Sequence, residues 1–310
     1  MSLIVEQRLK ALALVMLAVL LASMQDAIVK SMAGTYPAYE TVIIRCCTSL
    51  PLLAFWLLLT TGIKSLSTPL LPRLLLRGLV MCSAYFAFIL SIAIMPIANA
   101  IAIYFVMPFF VAVLAGPFLG EHVPVYRWLA MTAGFLGVLV MVRPGTSSFE
   151  PASFLALYSA FGYAVGAIMV RPLAQHVQPV VIGNIQNVIY LVVALIMFII
   201  FHVLGIALPQ HKSLTFLSRP LVMPDVNDFM LMALMGVLAA GAIVCFISAY
   251  KHAQSSFVAP FEYTGMVWAV LFGLLFFGDF PDAWTWVGMA IVVAAGLLMM
   301  WRDTQIHRTG

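Results

Sequence analysis

The sequence predicts an all-α integral membrane protein of ten transmembrane helices, arranged as two inverted five-helix repeats with both termini in the cytoplasm (N-in/C-in). Three observations carry that prediction. Of 310 residues, 64% are hydrophobic and 8% charged, with a mean hydropathy of +1.11, whereas about a quarter of a soluble domain is charged. The apolar residues form uninterrupted runs rather than alternating, which excludes a β-barrel, whose strands run ~10 residues with every second one polar. The chain also matches itself: moved by 158 positions, residues 100–131 fall on 258–289, with Gly120 on Gly278, Glu121 on Asp279 and Trp128 on Trp286.

A bilayer core of ~30 Å needs ~20 helical residues. Segments of that kind lie at 11–32, 37–60, 74–95, 98–119, 125–143, 152–174, 179–204, 228–250, 255–277 and 283–301. The first is too long for the apolar core of a signal peptide and lacks a small-residue cleavage site after it, so it is expected to remain as a span. Turns Gly120-Glu-His-Val-Pro124 and Gly278-Asp-Phe-Pro-Asp282 end the fourth and ninth segments, because Gly accepts the left-handed cap and Pro opens the next helix. With the N-terminus inside, Arg8, Lys10, Lys64, Arg73, Arg77, Arg127, Arg171, Lys251, Arg302 and Arg308 gather at cytoplasmic ends, and Lys30, Arg45, Arg143, Lys212 and Arg219 lie towards the other side. That imbalance sets the orientation. The Pro-rich stretch 205–227 is an outer loop and not a separate domain.

The repeat has two offsets. One of 141 sets Lys30 on Arg171 and relates helices 1 and 2 to 6 and 7; one of 158 sets Gly78 on Gly236 and Phe88 on Phe246 and relates helices 3–5 to 8–10. The units are 11–145 and 152–302. Five spans is an odd number, so the second unit enters from the opposite side, and such inverted repeats hold a site near the midplane that is exposed to each side in turn.

Met107-Pro108 followed by Gly120-Glu121, Pro260-Phe-Glu-Tyr263 followed by Gly278-Asp279, and ten helices in two halves resemble the EamA families of the drug/metabolite transporter superfamily. Within it, the whole chain is similar to bacterial amino-acid exporters of the YddG type. The resemblance implies a multi-pass protein of the bacterial inner membrane that moves small amphipathic metabolites, amino acids including aromatic and apolar ones, out of the cell. Riboflavin and S-adenosylmethionine carriers share the Pro-Phe-Glu-Tyr style, so uptake of a vitamin or nucleoside-like compound is the alternative. A membrane scaffold or enzyme is a third reading. The second unit departs from the first, with Met266 where Pro108 stands and Asp279 where the family usually shows Glu.

Glu262 is the sharpest single signal: a carboxylate ~10 Å inside a span at 1.5 Å per residue, where a charge costs ~2.5–3.5 kcal/mol. Either it faces the substrate pathway, in contact with substrate or a coupling proton, or it is a structural acid held by Lys251, Tyr263 or a helix end. Tyr104 is its counterpart in the first unit. Tyr85, Tyr163, Tyr263, Trp268, Asn99 and Gln25 are the other candidates for the pathway, since a polar group in hydrocarbon needs a partner; Asn99 serves equally as a helix cap. Asp26 and Lys30 are four apart on one face and are expected to form an ion pair, either at an outer gate or as an interfacial pair. Arg45 is expected to meet Asp26 or Glu40 as a structural partner. Pro108 and Pro260 are expected to bend their helices as hinges, and Gly162 and Gly166 to make a flat contact face.

The basic residues form no stripe that would track nucleic acid. Cys46, Cys47, Cys82 and Cys245 sit in apolar segments without C-x-x-C spacing, and read as small core residues rather than as metal ligands or disulfides. No metal, cofactor or catalytic motif is indicated. A small-molecule substrate and the lipid bilayer are the expected partners; driving by ATP would need a separate ATPase subunit, and the sequence does not specify an oligomeric state.

Overall fold

An apolar core encloses a small set of polar residues, and large apolar residues also cover the outside, unlike the surface of a soluble domain. Gln25, Arg45, Arg77, Asn184, Gln186, Asn187 and Glu262 are buried, while Phe55, Leu58, Leu59, Phe118, Leu129 and Phe276 are exposed. An apolar surface of that extent is stable only against lipid. The structure is a computed structural model that describes residues 2–93, 97–104, 106–120, 123–143, 152–206, 216–278 and 282–309. All its regular elements are helical.

In chain order these are α1 (Ser2–Met32), α2 (Ala38–Thr60), α3 (Leu71–Ile92), α4 (Ile97–Tyr104), α5 (Met107–Leu119), α6 (Val125–Val142), α7 (Ala152–His176), α8 (Pro179–Phe198), α9 (Val226–His252), α10 (Ser255–Val258), α11 (Gly265–Phe272) and α12 (Ala283–Thr309). Among the described residues six helices are long and apolar enough to cross a membrane: α1, α2, α3, α7, α9, and α8 with the π-turn Ile199–Val203 that extends it. Two of the expected spans are broken. The segment 98–119 divides into α4 and α5, with Pro108 in the first turn of α5. In the segment 255–277, α10 passes into a 3₁₀ turn, Ala259–Thr264, with Pro260 in its first turn, and then into α11 and the π-turn Gly273–Phe277. Proline lacks the N–H that would continue a helix and is tolerated where one begins.

The breaks obey the sequence offset. α5 restarts at Met107 and α11 at Gly265, the left-handed caps are Gly120 (φ 63°) and Gly278 (φ 67°), and the next helices begin at Val125 and Ala283, each pair 158 apart. Packing is paired in the same way. α1 lies along α9 as α7 lies along α3, α2 meets α9 as α8 meets α3, and α2–α8 and α6–α12 pack on each other. Exchanging the halves returns these pairs, although α9 also packs on α7 and α8 more extensively than α3 does on α1 and α2. At the closest approaches, Gly78 of α3 faces Ile189 of α8, and its counterpart Gly236 of α9 faces Thr48 of α2, which is Ile189's counterpart at the other offset.

Close packing follows the small residues. Gly162 and Gly166 of α7 sit against Ala84 and Met81 of α3. Asn187 ties α8 to α2 by accepting from Ser49 Oγ at 3.1 Å, and Asn184 donates to the Leu53 carbonyl at 3.0 Å. Of the cysteines, Cys46 and Cys82 are buried and Cys245 half-buried, but Cys47 is exposed, because its position on α2 faces outwards. The described part of the 205–227 loop is stitched to the α1–α2 end: Arg219 Nη1 donates to the Ala33 carbonyl at 2.8 Å and Tyr39 Oη to the Arg219 carbonyl at 2.9 Å. The Val222 amide donates to Glu40 Oε2 at 3.3 Å. At the same end, Tyr36 Oη donates to Asp228 Oδ2 at 2.6 Å, and that bond pushes the Tyr36 hydroxyl up to about 12.

Candidate functional site

The 3₁₀ turn between α10 and α11 places Glu262 at the boundary of two adjoining cavities. In the first, Glu262 joins Arg77 of α3, Tyr163 of α7, Gln186 of α8 and Phe246 and Tyr250 of α9. In the second it joins Gln25 and Asp26 of α1, Tyr85 and Phe88 of α3, Tyr104 of α4 and Tyr163. The unfilled space in them is about 450 and 670 Å³, part of it open to the surroundings. Tyr163, Phe246 and Glu262 line both.

Glu262 is 6% exposed, and Tyr250 Oη donates to its Oε1 at 2.5 Å. That tyrosine, in the last turn of α9, takes the role that the sequence offers to Lys251 or Tyr263. Lys251 Nζ instead faces Gln178 Oε1 at 3.5 Å. The Tyr263 ring packs on Gly134 of α6 and lines neither cavity, since consecutive residues of a 3₁₀ turn point about 120° apart. Trp268 is half-buried and stacks on Phe272, centroids 6.2 Å apart, also away from both linings.

The tyrosines form a connected wall. Tyr104 stands edge-on to Tyr163 at 5.4 Å and 5.1 Å from Phe88. Tyr85 stacks on Tyr190 at 5.3 Å. Behind Tyr85, the Arg45 guanidinium lies over both of those rings, 4.9 and 5.3 Å from their centroids, and its Nε donates to Gln25 Oε1 at 3.2 Å. A desolvated cation over aromatic faces gains ~2 kcal/mol. Arg45 therefore meets Gln25, with Asp26 in electrostatic reach, and not Glu40, which is taken by Val222.

The expected ion pair of Asp26 with Lys30 is not formed. Asp26 turns into the cavity, and Lys30 Nζ lies 4.5 Å over the Phe277 ring. A buried cation on α2 draws the carboxylate inward, and Lys30, near the helix end, finds an aromatic face. Asn99 is on α4, but its side chain is outside the described residues, as is that of Pro260. Glu121 and Asp279, the acids of the two turns, are outside them too.

Arg77 is the residue that sequence reasoning misplaced. Counted among the charges at cytoplasmic ends, it is 4% exposed. Its Nη1 donates to Gln186 Oε1 at 2.7 Å and its Nε to the Gly166 carbonyl at 3.1 Å. Gln186 Nε2 donates on to Tyr190 Oη at 3.2 Å, and that hydroxyl to the Met81 carbonyl at 3.0 Å. Arg127, counted with it, is also buried and reaches Gln254 Oε1 at 3.2 Å. The missed signal was depth: Arg77 is six residues inside α3, about as far from the helix start as Glu262 is from the start of its own segment.

A cavity among helices, walled by aromatics and bearing buried charges of both signs, suits a small molecule with polar and apolar parts. Comparison with known proteins agrees. The model of the EamA-like transporter family matches residues 9–143 and again 151–301. The chain is 28% identical over 247 residues to the Riboflavin transporter of Rhizobium johnstonii, covering 80% of this chain and 76% of that one. It is 28% identical over 284 residues to the Pseudopaline exporter CntI of Pseudomonas aeruginosa, covering 88% and 89%. A crystal structure sharing 15% identity superposes with a TM-score of 0.74 over 96% of this chain and 98% of the other, which shows a shared fold. The chain belongs to the EamA-like transporter family of the drug/metabolite transporter superfamily, and is a multi-pass protein of the bacterial inner membrane.

Proposed function

We propose that the protein is a secondary carrier that moves small amphipathic metabolites, amino acids with aromatic or apolar side chains foremost, out of the cell by alternating access. The observation that carries this reading is the pair of adjoining cavities with Glu262, Tyr163 and Phe246 common to both: a ligand at that boundary is within reach of either cavity. The proposal includes ten spans in two inverted units, 11–145 and 152–302, with both termini inside. Helix breaks, left-handed caps and next-helix starts that repeat at one offset support it, as do the exchangeable packing pairs and the two successive family matches. In that scheme the interrupted segments, α4–α5 near Pro108 and α10–α11 near Pro260, are the moving gates. Helix interruptions that line cavities are where such folds hold substrate.

Export comes from the resemblance to amino-acid exporters; a carrier runs down whichever gradient it meets. A relative named as a Riboflavin transporter and one named as an S-adenosylmethionine uptake transporter favour uptake of a vitamin or nucleoside-like compound as the second reading. Counterflow in proteoliposomes of the purified protein alone separates them. Preloaded amino acids are expected to accelerate uptake of labelled amino acid, with riboflavin and S-adenosylmethionine inert. Exchange of riboflavin alone selects the second reading, and absence of flux for every compound overturns the carrier.

A further inference from the structure

The first cavity carries two buried charges of opposite sign that do not touch. Arg77 and Glu262 both line it, yet each spends its described contacts on the protein: Arg77 Nε and Nη1 on Gly166 and Gln186, Glu262 Oε1 on Tyr250. Arg77 Nη2 and Glu262 Oε2 are left without a hydrogen bond among the described residues, on a cavity that both residues share. Buried opposite charges that served only to neutralise one another would gain most by direct contact. These are held apart by separate scaffolds, α7 and α8 for the guanidinium and α9 for the carboxylate.

We infer that the cavity is a two-ended site for a zwitterion, in which Arg77 binds the carboxylate of the substrate and Glu262 its ammonium group. The guanidinium is suited to the first role because its planar fork matches a carboxylate. Gln186 and Gly166 fix that fork from behind, so little side-chain freedom is lost when an anion arrives. Tyr250 likewise fixes one carboxylate oxygen of Glu262 and leaves the other for an N–H donor. Between the two ends, Met81, Met107, Ile243 and Phe246 face the same space and receive an apolar body; methionine adapts to bodies of different shape. The inference rests on the carrier reading and adds to it a polarity, carboxylate towards α3 and ammonium towards the 3₁₀ turn between α10 and α11.

The test is competition against counterflow of labelled L-phenylalanine by L-phenylalanine, phenylalaninamide, which lacks the carboxylate, 3-phenylpropionate, which lacks the ammonium, and riboflavin. Wild-type protein is expected to prefer the amino acid over both truncated analogues by at least about tenfold, because a site built to pair a charged group rejects the analogue without it. Arg77→Gln is expected to reduce the preference over the amide to less than about threefold and to keep that over 3-phenylpropionate; Glu262→Gln does the reverse. Arg77→Lys, which keeps the charge and loses the fork, falls between.

These readouts are ratios, so a smaller folded fraction does not move them. If both variants keep both wild-type preferences, or lose the two together, the charges are structural and the inference is overturned. Exchange of riboflavin with no effect of phenylalanine overturns it while the carrier stands. No flux of any compound removes the carrier reading and this one with it.

Discussion

At the scale of single residues, two glycines at matched positions carry different constraints. A Cβ on Gly236 would lie 2.6 Å from Thr48 Cβ and 3.0 Å from the Ser49 amide nitrogen, and closer still to the Arg45 carbonyl, so the α2 backbone would have to move. A Cβ on Gly78 meets only the tip of Ile189, which can rotate away. Gly236→Ala is therefore expected to destabilise by ~1–3 kcal/mol, as overpacking does. Gly78→Ala should cost far less: both changes recover ~1 kcal/mol of helix propensity, but only at Gly78 can the obstructing group move aside. Thermal unfolding in detergent measures both; equal losses would contradict the packing argument. Arg45 and Arg77 illustrate a second lesson of this scale. Both are arginines within apolar runs, and only the neighbours of each, tyrosine faces for one and an amide and a carbonyl for the other, say which of them meets the cavity lining.

At the scale of elements, the breaks in the fourth and ninth segments are the features on which a transport cycle would turn. Long unbroken helices such as α1, ~46 Å at 1.5 Å per residue, exceed the bilayer core and act as struts. A helix whose hydrogen bonding is interrupted at mid-length bends at lower cost. Val106 and Thr264, each immediately before the restart of its helix, are matched sites for reporters. In a background without the native cysteines, Val106→Cys and Thr264→Cys are expected to change their rate of thiol labelling in opposite directions when substrate is added, because one gate closes as the other opens. Labelling that stays constant at both sites would speak for a fixed pore.

At the scale of the whole molecule, the proposed inverted repeat carries with it a second packing of nearly equal energy, reached by swapping the conformations of the units. It also requires an even number of crossings. Reporter fusions at the N- and C-termini are expected to place both in the cytoplasm, with a reporter inserted in the 205–227 loop outside. Termini on opposite sides would overturn the inverted arrangement, and both termini outside would reverse the orientation. The burial of Arg77 and Arg127 removes two of the ten residues from the cytoplasmic side of the charge count, and that of Arg45 one of the five from the other, which leaves eight against four, so the sign of the bias survives.

The sequence by itself determined the class of fold, all-helical and membrane-spanning, and most of the helix boundaries, and it is the origin of the proposed repeat. Hydropathy and helical length are local properties, and a bilayer leaves the backbone no other way to satisfy its hydrogen bonds. It also made Glu262 conspicuous, along with Tyr104, Tyr85, Tyr163 and Gln25, which the structure brings to the same cavities. Tertiary structure alone decided the partners. That Glu262 is met by Tyr250 and not Lys251, that Asp26 turns from Lys30 towards the side of Arg45, that Tyr263 packs on α6, and that Arg77 reaches a cavity all depend on the rotation of one helix against another. In an apolar helix that rotation is weakly encoded, because lipid and protein interiors accept the same side chains. It is fixed by the few glycines and amides that let particular faces approach, and those act between residues far apart in the chain.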